Sequence, residues 1–204
     1  MTALKIIAIV IIGYFLGSIQ FGLLICRHFG LDDIRKVGSG GTGATNVMRT
    51  LGKLPSALTL LLDALKGAVA TLAGLWLLGE NGAYIGGVAA LIGHIWPVYY
   101  GFKGGKGAAT TIGSLIAVQP AVGLVFFVVA IAGIAVLKVV SIVSIALATV
   151  LLIYILLFHI QNAGFVVYGV VVFALIVYCH RGNIRRIISG DEFTRKVDIF
   201  GKGK

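Results

Sequence analysis

Arg49, Lys106, His180 and Asn183 stand in three glycine-rich, basic stretches. These are VGSGGTGATNVMRTLG over 37–52, GHIWPVYYGFKGGKGAAT over 93–110 and HRGNIRRIISGDE over 180–192. Glycine lets a ligand approach backbone N–H groups closely and lysine or arginine supplies the counter-charge, a combination suited to phosphate. In the first stretch Ser39, Thr45, Asn46 and Arg49 are candidate donors, framed by Gly38, Gly40 and Gly43. In the second, Gly104, Gly105 and Gly107 surround Lys106 at the start of a helix expected from Ala108. The first N–H groups of a helix lack intrahelical partners and carry partial positive charge, so this is a good oxyanion or phosphate site. In the third, His180 and Asn183 are three apart and share a helical face. Ser141 and Ser144 repeat that spacing at the head of an apolar run.

Each has a plainer alternative. Lys103 suits interface anchoring by its apolar stem, and a membrane-helix serine such as Ser144 often bonds back to its own helix. Arg181, Arg185 and Arg186 suit anionic headgroups. Two motif look-alikes fail. Gly38–Gly43 fits G-x-G-x-x-G, but an apolar helix and a charged loop precede it instead of the strand that a dinucleotide fold requires. The 101–107 run has Tyr100 and Gly107 where a P-loop needs Gly and Ser/Thr.

The elements that carry these stretches are membrane-like. Of 204 residues 59% are hydrophobic and 12% charged, about half the charged share of a soluble domain. Apolar segments cover roughly 4–26, 55–78, 83–100, 108–137, 139–159 and 163–179, and a span needs roughly 20 residues. The fourth is too long for one crossing; Gln119-Pro120 divides it into 108–118 and 121–137. The net charge of +10 reflects positive-inside bias rather than nucleic-acid binding. Seven helices with the N-terminus outside put Arg27, Arg35, Lys36, Arg49, Lys53, Lys103, Lys106, Lys138 and the basic tail inside, leaving only Lys5 outside. Asp63 and Lys66, i and i+3 in the second segment, are expected to pair, because either alone is costly there. The two cysteines show no disulfide or zinc spacing. The expectation is an all-α, seven-transmembrane-helix domain over 1–192, C-terminus cytoplasmic, with a basic, mobile tail over 193–204.

In order and spacing, GATNVMR, GHIWPVYYGFKGGKGAAT and HRGNIRR resemble the three signature motifs of the bacterial integral membrane acyl-phosphate: glycerol-3-phosphate acyltransferases, the PlsY family. One departure is Gly41, where that family usually carries Asn. The resemblance runs from about residue 5 to Glu192. It implies a seven-helix enzyme of the bacterial cytoplasmic (inner) membrane, with its site on the cytoplasmic face. Such an enzyme transfers an acyl group from acyl phosphate to glycerol 3-phosphate, giving lysophosphatidic acid and inorganic phosphate, with no metal or other cofactor. The implied substrate-binding positions are Ser39, Arg49, Lys106, Ser144, His180 and Asn183. His180, Asn183 and Lys106 form the catalytic set, and the glycines named above with Asn46 form the binding loops. The expected partners are the two substrates and membrane lipid, not nucleic acid, with the chain a monomer. Direct transfer is expected, with His180 or a substrate phosphate as base. A transporter of phosphorylated metabolites is the alternative; it requires a midplane site, usually between repeated halves.

Overall fold

The computed structural model describes residues 1–194 and Val197, and the described residues are helical with no strand. The helices are α1 (Thr2–Ser18), α2 (Phe21–His28), α3 (Ala44–Leu51), α4 (Lys53–Ile95), α5 (Ala108–Val118), α6 (Pro120–Leu137), α7 (Val140–Phe158), α8 (Ala163–Cys179) and α9 (Arg181–Ile188). By length and apolar composition four helical segments can cross a membrane, or five if α8 and α9, bent by 60°, form one span.

One of those four, the 43-residue α4, is a hairpin. Leu78 and Gly79 leave helical geometry, and Gly79 takes φ +64°, which side chains resist. The arms 53–77 and 80–95 then fold back on one another. A Cβ on Gly74 would lie 2.0 Å from the Gly82 carbonyl oxygen, and one on Gly86 would lie 2.4 Å from that of Ala70. Small residues permit such backbone approach between apolar helices. The expected segments 55–78 and 83–100 are therefore both present. The second ends earlier, at Ile95, because Pro97 disfavours helix at Trp96.

Two further boundaries differ from expectation. The segment 4–26 is broken at Ile19–Gln20 into α1 and α2, and α3 forms inside the first glycine-rich stretch. The division at Gln119-Pro120 is as expected, with Pro120 opening α6. Most of the tail expected to be mobile lies outside the described residues. Of its described residues, Phe193 and Thr194 close a 3-10 turn that begins at Asp191, and Val197 is buried, donating its N–H to the Lys138 carbonyl at 2.8 Å.

The main core lies between the second arm of α4 and α5, α7 and α8. There Tyr84 stacks on Phe165 and Phe165 on Tyr168, with Leu115, Leu151 and Val172 alongside. A smaller core of Leu23, Cys26, Ile34 and Val47 pins the 29–43 loop and α3 against α2. Asp63 and Lys66 pair at 2.8 Å, as expected, both almost wholly buried. The Lys66 ammonium also donates to the Ile19 carbonyl that the α1–α2 break releases.

Candidate functional site

The first glycine-rich loop is folded around Asn46. Its Nδ2 donates to the carbonyls of Ile34, Val37 and Gly41, at 3.1, 3.0 and 2.9 Å, and its Oδ1 accepts from the Ser39 N–H at 2.8 Å. Gly38 makes room for this, since a Cβ there would lie 2.1 Å from Asn46 Oδ1. Asn46 is thus committed to shaping the loop. Arg49 follows it by three residues on α3 and so shares its face.

The second loop lies on the end of α4. Gly104 N–H donates to the Ile95 carbonyl at 3.2 Å and Gly105 N–H to the His94 carbonyl at 3.1 Å. A Cβ on Gly105 would lie 2.2 Å from His94 Nε2. These two amides are therefore engaged by main chain rather than bare. The glycines are there because the loop packs directly on His94. The unengaged donors of a helix start lie just beyond, where Gly107 caps α5.

The third stretch meets the second through Lys106, whose Nζ donates to Asn183 Oδ1. Asn183 Nδ2 donates in turn to Glu192 Oε1, which also accepts from Ser141 Oγ at 2.7 Å, while Glu192 Oε2 accepts from Arg186 Nε at 2.6 Å. The bend between α8 and α9 leaves His180 at the corner. Its Nδ1 lies 2.8 Å from the Ile176 carbonyl. A carbonyl only accepts, so Nδ1 carries the proton and Nε2 keeps its lone pair. Ser144 bonds back to the Val140 carbonyl at 2.9 Å.

The electrostatics follow from burial and crowding. Desolvation lowers the Lys106 ammonium to about 8, against the pull of Glu192 and with the push of Arg186 and Arg49. Burial alone would raise the Glu192 carboxyl; the hydrogen bonds from Asn183, Ser141 and Arg186 override it and hold it at about 2.

One cavity of about 870 Å³ collects these groups. Ser39, Gly40, Gly43, Asn46, Arg49, Gly104, Gly105, Lys106, Gly107, Ser144, His180 and Asn183 all line it. Gly38 is the one expected site residue that does not. The cavity continues between α5, α6 and α7, walled by Leu115, Phe126, Phe127, Ile131, Leu147 and Leu151. A polar cleft of about 510 Å³ shares Gly40, Lys103 and Gly104 with it, and is lined also by Arg35 and Lys36. Arg35 is held by Asp33 at 2.8 Å and reaches the Tyr100 carbonyl, joining the two loops. Sequence reasoning missed Glu192 and His94. No periodicity links Glu192 to Asn183 across the turn after α9, and His94 looks like one more residue of an apolar run.

The chain matches the family model described as glycerol-3-phosphate acyltransferase over residues 7–190. It is 47% identical over 189 residues to the glycerol-3-phosphate acyltransferase of Sinorhizobium medicae (strain WSM419), covering 91% of this chain and 90% of that one. It is 44% identical over 182 residues to that of Jannaschia sp. (strain CCS1), covering 89% of each. The fold superposes on crystal structures of PlsY (YgiH), an integral membrane glycerol 3-phosphate acyltransferase. The glycerol 3-phosphate form gives a TM-score of 0.85 at 38% identity, over 91% of this chain and 93% of that one. The lysophosphatidic acid form gives 0.83 at 37%, with the same coverage.

The Glu192 cluster has a stability consequence. Glu192→Ala removes the common acceptor of Asn183, Ser141 and Arg186, and should destabilise the protein by about 2 kcal/mol at neutral pH. Because the folded carboxyl is held at about 2, its contribution is present above the ordinary value of 4.5 and is lost as pH falls through about 2. In detergent, the gap in thermal midpoint between wild type and Glu192→Ala should narrow from about pH 5 to about pH 3.

Proposed function

The chain belongs to the glycerol-3-phosphate acyltransferase family; on that premise we propose that it moves a fatty acyl group from an acyl phosphate to the 1-hydroxyl of glycerol 3-phosphate. The observation that carries this is the two-ended cavity. One end gathers Arg49, Lys106, His180 and Asn183, and the other is apolar between α5, α6 and α7. A dianion fits the first and an acyl chain fits the second, with the scissile carbonyl between them.

In this reading Arg49 clamps phosphate with its planar fork, which lysine cannot copy. Lys106 and Ser39 add donors, along with the first amides of α5, and Ser144 joins them when its hydroxyl turns from the Val140 carbonyl to the ligand. Asn46, Gly38, Gly104 and Gly105 shape the loops, while Gly40, Gly43 and Gly107 allow close approach. The acceptor hydroxyl attacks the acyl carbonyl carbon, a carbon–oxygen bond forms, and the bond to the phosphate oxygen breaks. Phosphate leaves with the electron pair, and the hydroxyl proton ends on phosphate. An acyl phosphate is already activated, so positioning the hydroxyl supplies much of the rate without a cofactor. Donors near the carbonyl stabilise the developing oxyanion. His180 accepts from the 2-hydroxyl of glycerol 3-phosphate through Nε2 and so orients the acceptor, Asn183 holds Lys106 in place, and a substrate phosphate takes the proton of the 1-hydroxyl.

The same proposal sets the protein in the bacterial cytoplasmic membrane. It crosses seven times, as α1 with α2, the two arms of α4, α5, α6, α7 and α8. The three motifs then face the cytoplasm, supported by the positive-inside count. The polar cleft lined by Arg35, Lys36 and Lys103 is the entrance for the soluble substrate, and the acyl chain enters from the bilayer between α6 and α7.

Purified protein in detergent should release equimolar inorganic phosphate and lysophosphatidic acid from the two substrates. A transporter needs sealed vesicles, so release in detergent separates the two functions; no release would sink the proposal. Arg49→Ala and Lys106→Ala should nearly abolish transfer in folded protein, with Lys103→Ala milder. The KM for glycerol 3-phosphate should rise as pH climbs through about 8, where Lys106 loses its proton. Lys106→Arg stays charged, and whatever its residual rate, that rise should be absent from it.

Incubation with radiolabelled acyl phosphate and no acceptor should leave no covalent label after denaturation; a labelled Ser39 or Ser144 would point to double displacement instead. For topology, Lys36→Cys, Lys103→Cys and Arg185→Cys should resist an impermeant thiol reagent on intact cells and react after permeabilisation. Glu80→Cys, beside the α4 hairpin turn, should react from outside. The opposite pattern would reverse the orientation.

A further inference from the structure

Gln20 lies in the break between α1 and α2 and is 1% exposed. Its two ends reach the first glycine-rich loop and the end of α4 on which the second loop lies. Oε1 accepts from Thr42 Oγ1 at 2.6 Å, in the loop that carries Ser39 and leads into α3. Nε2 donates to the His94 carbonyl at 3.1 Å, the same oxygen that receives the Gly105 N–H beside Lys106. Thr42 and His94 are as buried as Gln20, at 1% and 3%. One amide therefore links the loop leading to Arg49 to the α4 carbonyl on which the loop bearing Lys106 is seated.

The bridge is held on both sides. Next to Gln20, the Ile19 carbonyl accepts from the Lys66 ammonium, which is ion-paired with Asp63. The same Asp63 oxygen lies 3.7 Å from His94 Nδ1. Above Gln20, α2 packs directly on Thr42, where a Cβ on Gly22 would lie 1.8 Å from the Thr42 carbonyl oxygen. With Gln20, Thr42 and His94 this deeply buried, each hydrogen bond acts as a fixed strut rather than one choice among many. Neither Gln20 nor Thr42 lines the cavity. Any influence they have on a ligand must pass through the separation of the loops.

We propose that Gln20 is a positioning residue for the acceptor: the Thr42–Gln20–His94 chain sets the spacing between the Arg49 and Lys106 cations, and so the fit of the glycerol 3-phosphate phosphate. This rests on the reading of the cavity as the acyltransferase site. A phosphate held by groups from two distant loops is sensitive to their separation, and misplacement by about 1 Å weakens every bond at once. The acyl donor depends less on this spacing, because its chain is held by α5, α6 and α7.

The test is steady-state kinetics in detergent on wild type, Thr42→Val, Thr42→Ser, Gln20→Met and the Gln20→Met/Thr42→Val double variant. Thr42→Val and Gln20→Met should each raise the KM for glycerol 3-phosphate about tenfold, of the order expected for one lost buried hydrogen bond. The KM for acyl phosphate should stay within about twofold, and Thr42→Ser, which keeps the hydroxyl, should restore the wild-type value. The double variant should be no worse than the worse single variant, because both singles cut the same chain. A purely structural role would lower the folded fraction and the apparent kcat while leaving both KM values alone. That result would overturn the proposal, as would equal rises in both KM values or a Thr42→Ser as impaired as Thr42→Val. If Gln20→Met does not fold, the Thr42 pair tests the same bond. An inactive wild type overturns both readings, whereas an active wild type with unshifted variants overturns only the role of Gln20.

Discussion

Where a helix breaks inside an apolar bundle, the carbonyls it releases must meet donors from elsewhere in the chain. No water is at hand, and each unsatisfied group costs several kcal/mol. At Ile19–Gln20 this constraint organises much of the functional end of the molecule. The Ile19 carbonyl takes the Lys66 ammonium, which brings Asp63 with it, and Gln20 fills the gap with an amide that bonds in two directions. The buried ion pair that looks expensive in the second apolar segment is thus part of the cost of the break. Beyond the break α2 leads into the first glycine-rich loop.

A second hub performs the same work among residues that line the cavity. Glu192 arrives from beyond α9 and gathers Asn183, Ser141 and Arg186. Asn183, so fixed, presents its carbonyl oxygen to Lys106. The lysine is oriented by a neutral partner and not neutralised by a carboxylate in direct contact, so its charge stays available to an anion. Burial among other cations has already lowered its proton affinity. On the proposed function, the dianionic acceptor relieves this crowding of positive charge when it binds.

Glycine serves two separate ends in this chain. In the bundle, Gly74 and Gly82 let the arms of α4 meet backbone to backbone, and in the second loop Gly105 lets the chain lie flat on the His94 ring. At the start of α5 the glycine-rich sequence instead caps a helix whose first N–H groups have no partner within the helix. A run such as GGKG therefore signals close approach, and what approaches is in part the protein itself.

By itself the sequence determined the helical class, the division at Gln119-Pro120, the pairing of Asp63 with Lys66, and the three stretches that line one cavity. Those features are local: hydropathy over a turn or two, a proline, charge spacing, and motif residues a few positions apart. The tertiary structure alone decided that Asn46, Gly104 and Gly105 are engaged in folding their loops, and that α1 ends at Ser18. It alone brought Gln20 into contact with Thr42 and His94, 22 and 74 positions away, and Glu192 into contact with Ser141, 51 positions away. The physical reason is that buried polar atoms are satisfied by whichever donor or acceptor the packing delivers. That choice depends on how the helices meet, and a linear pattern of residue types does not encode it.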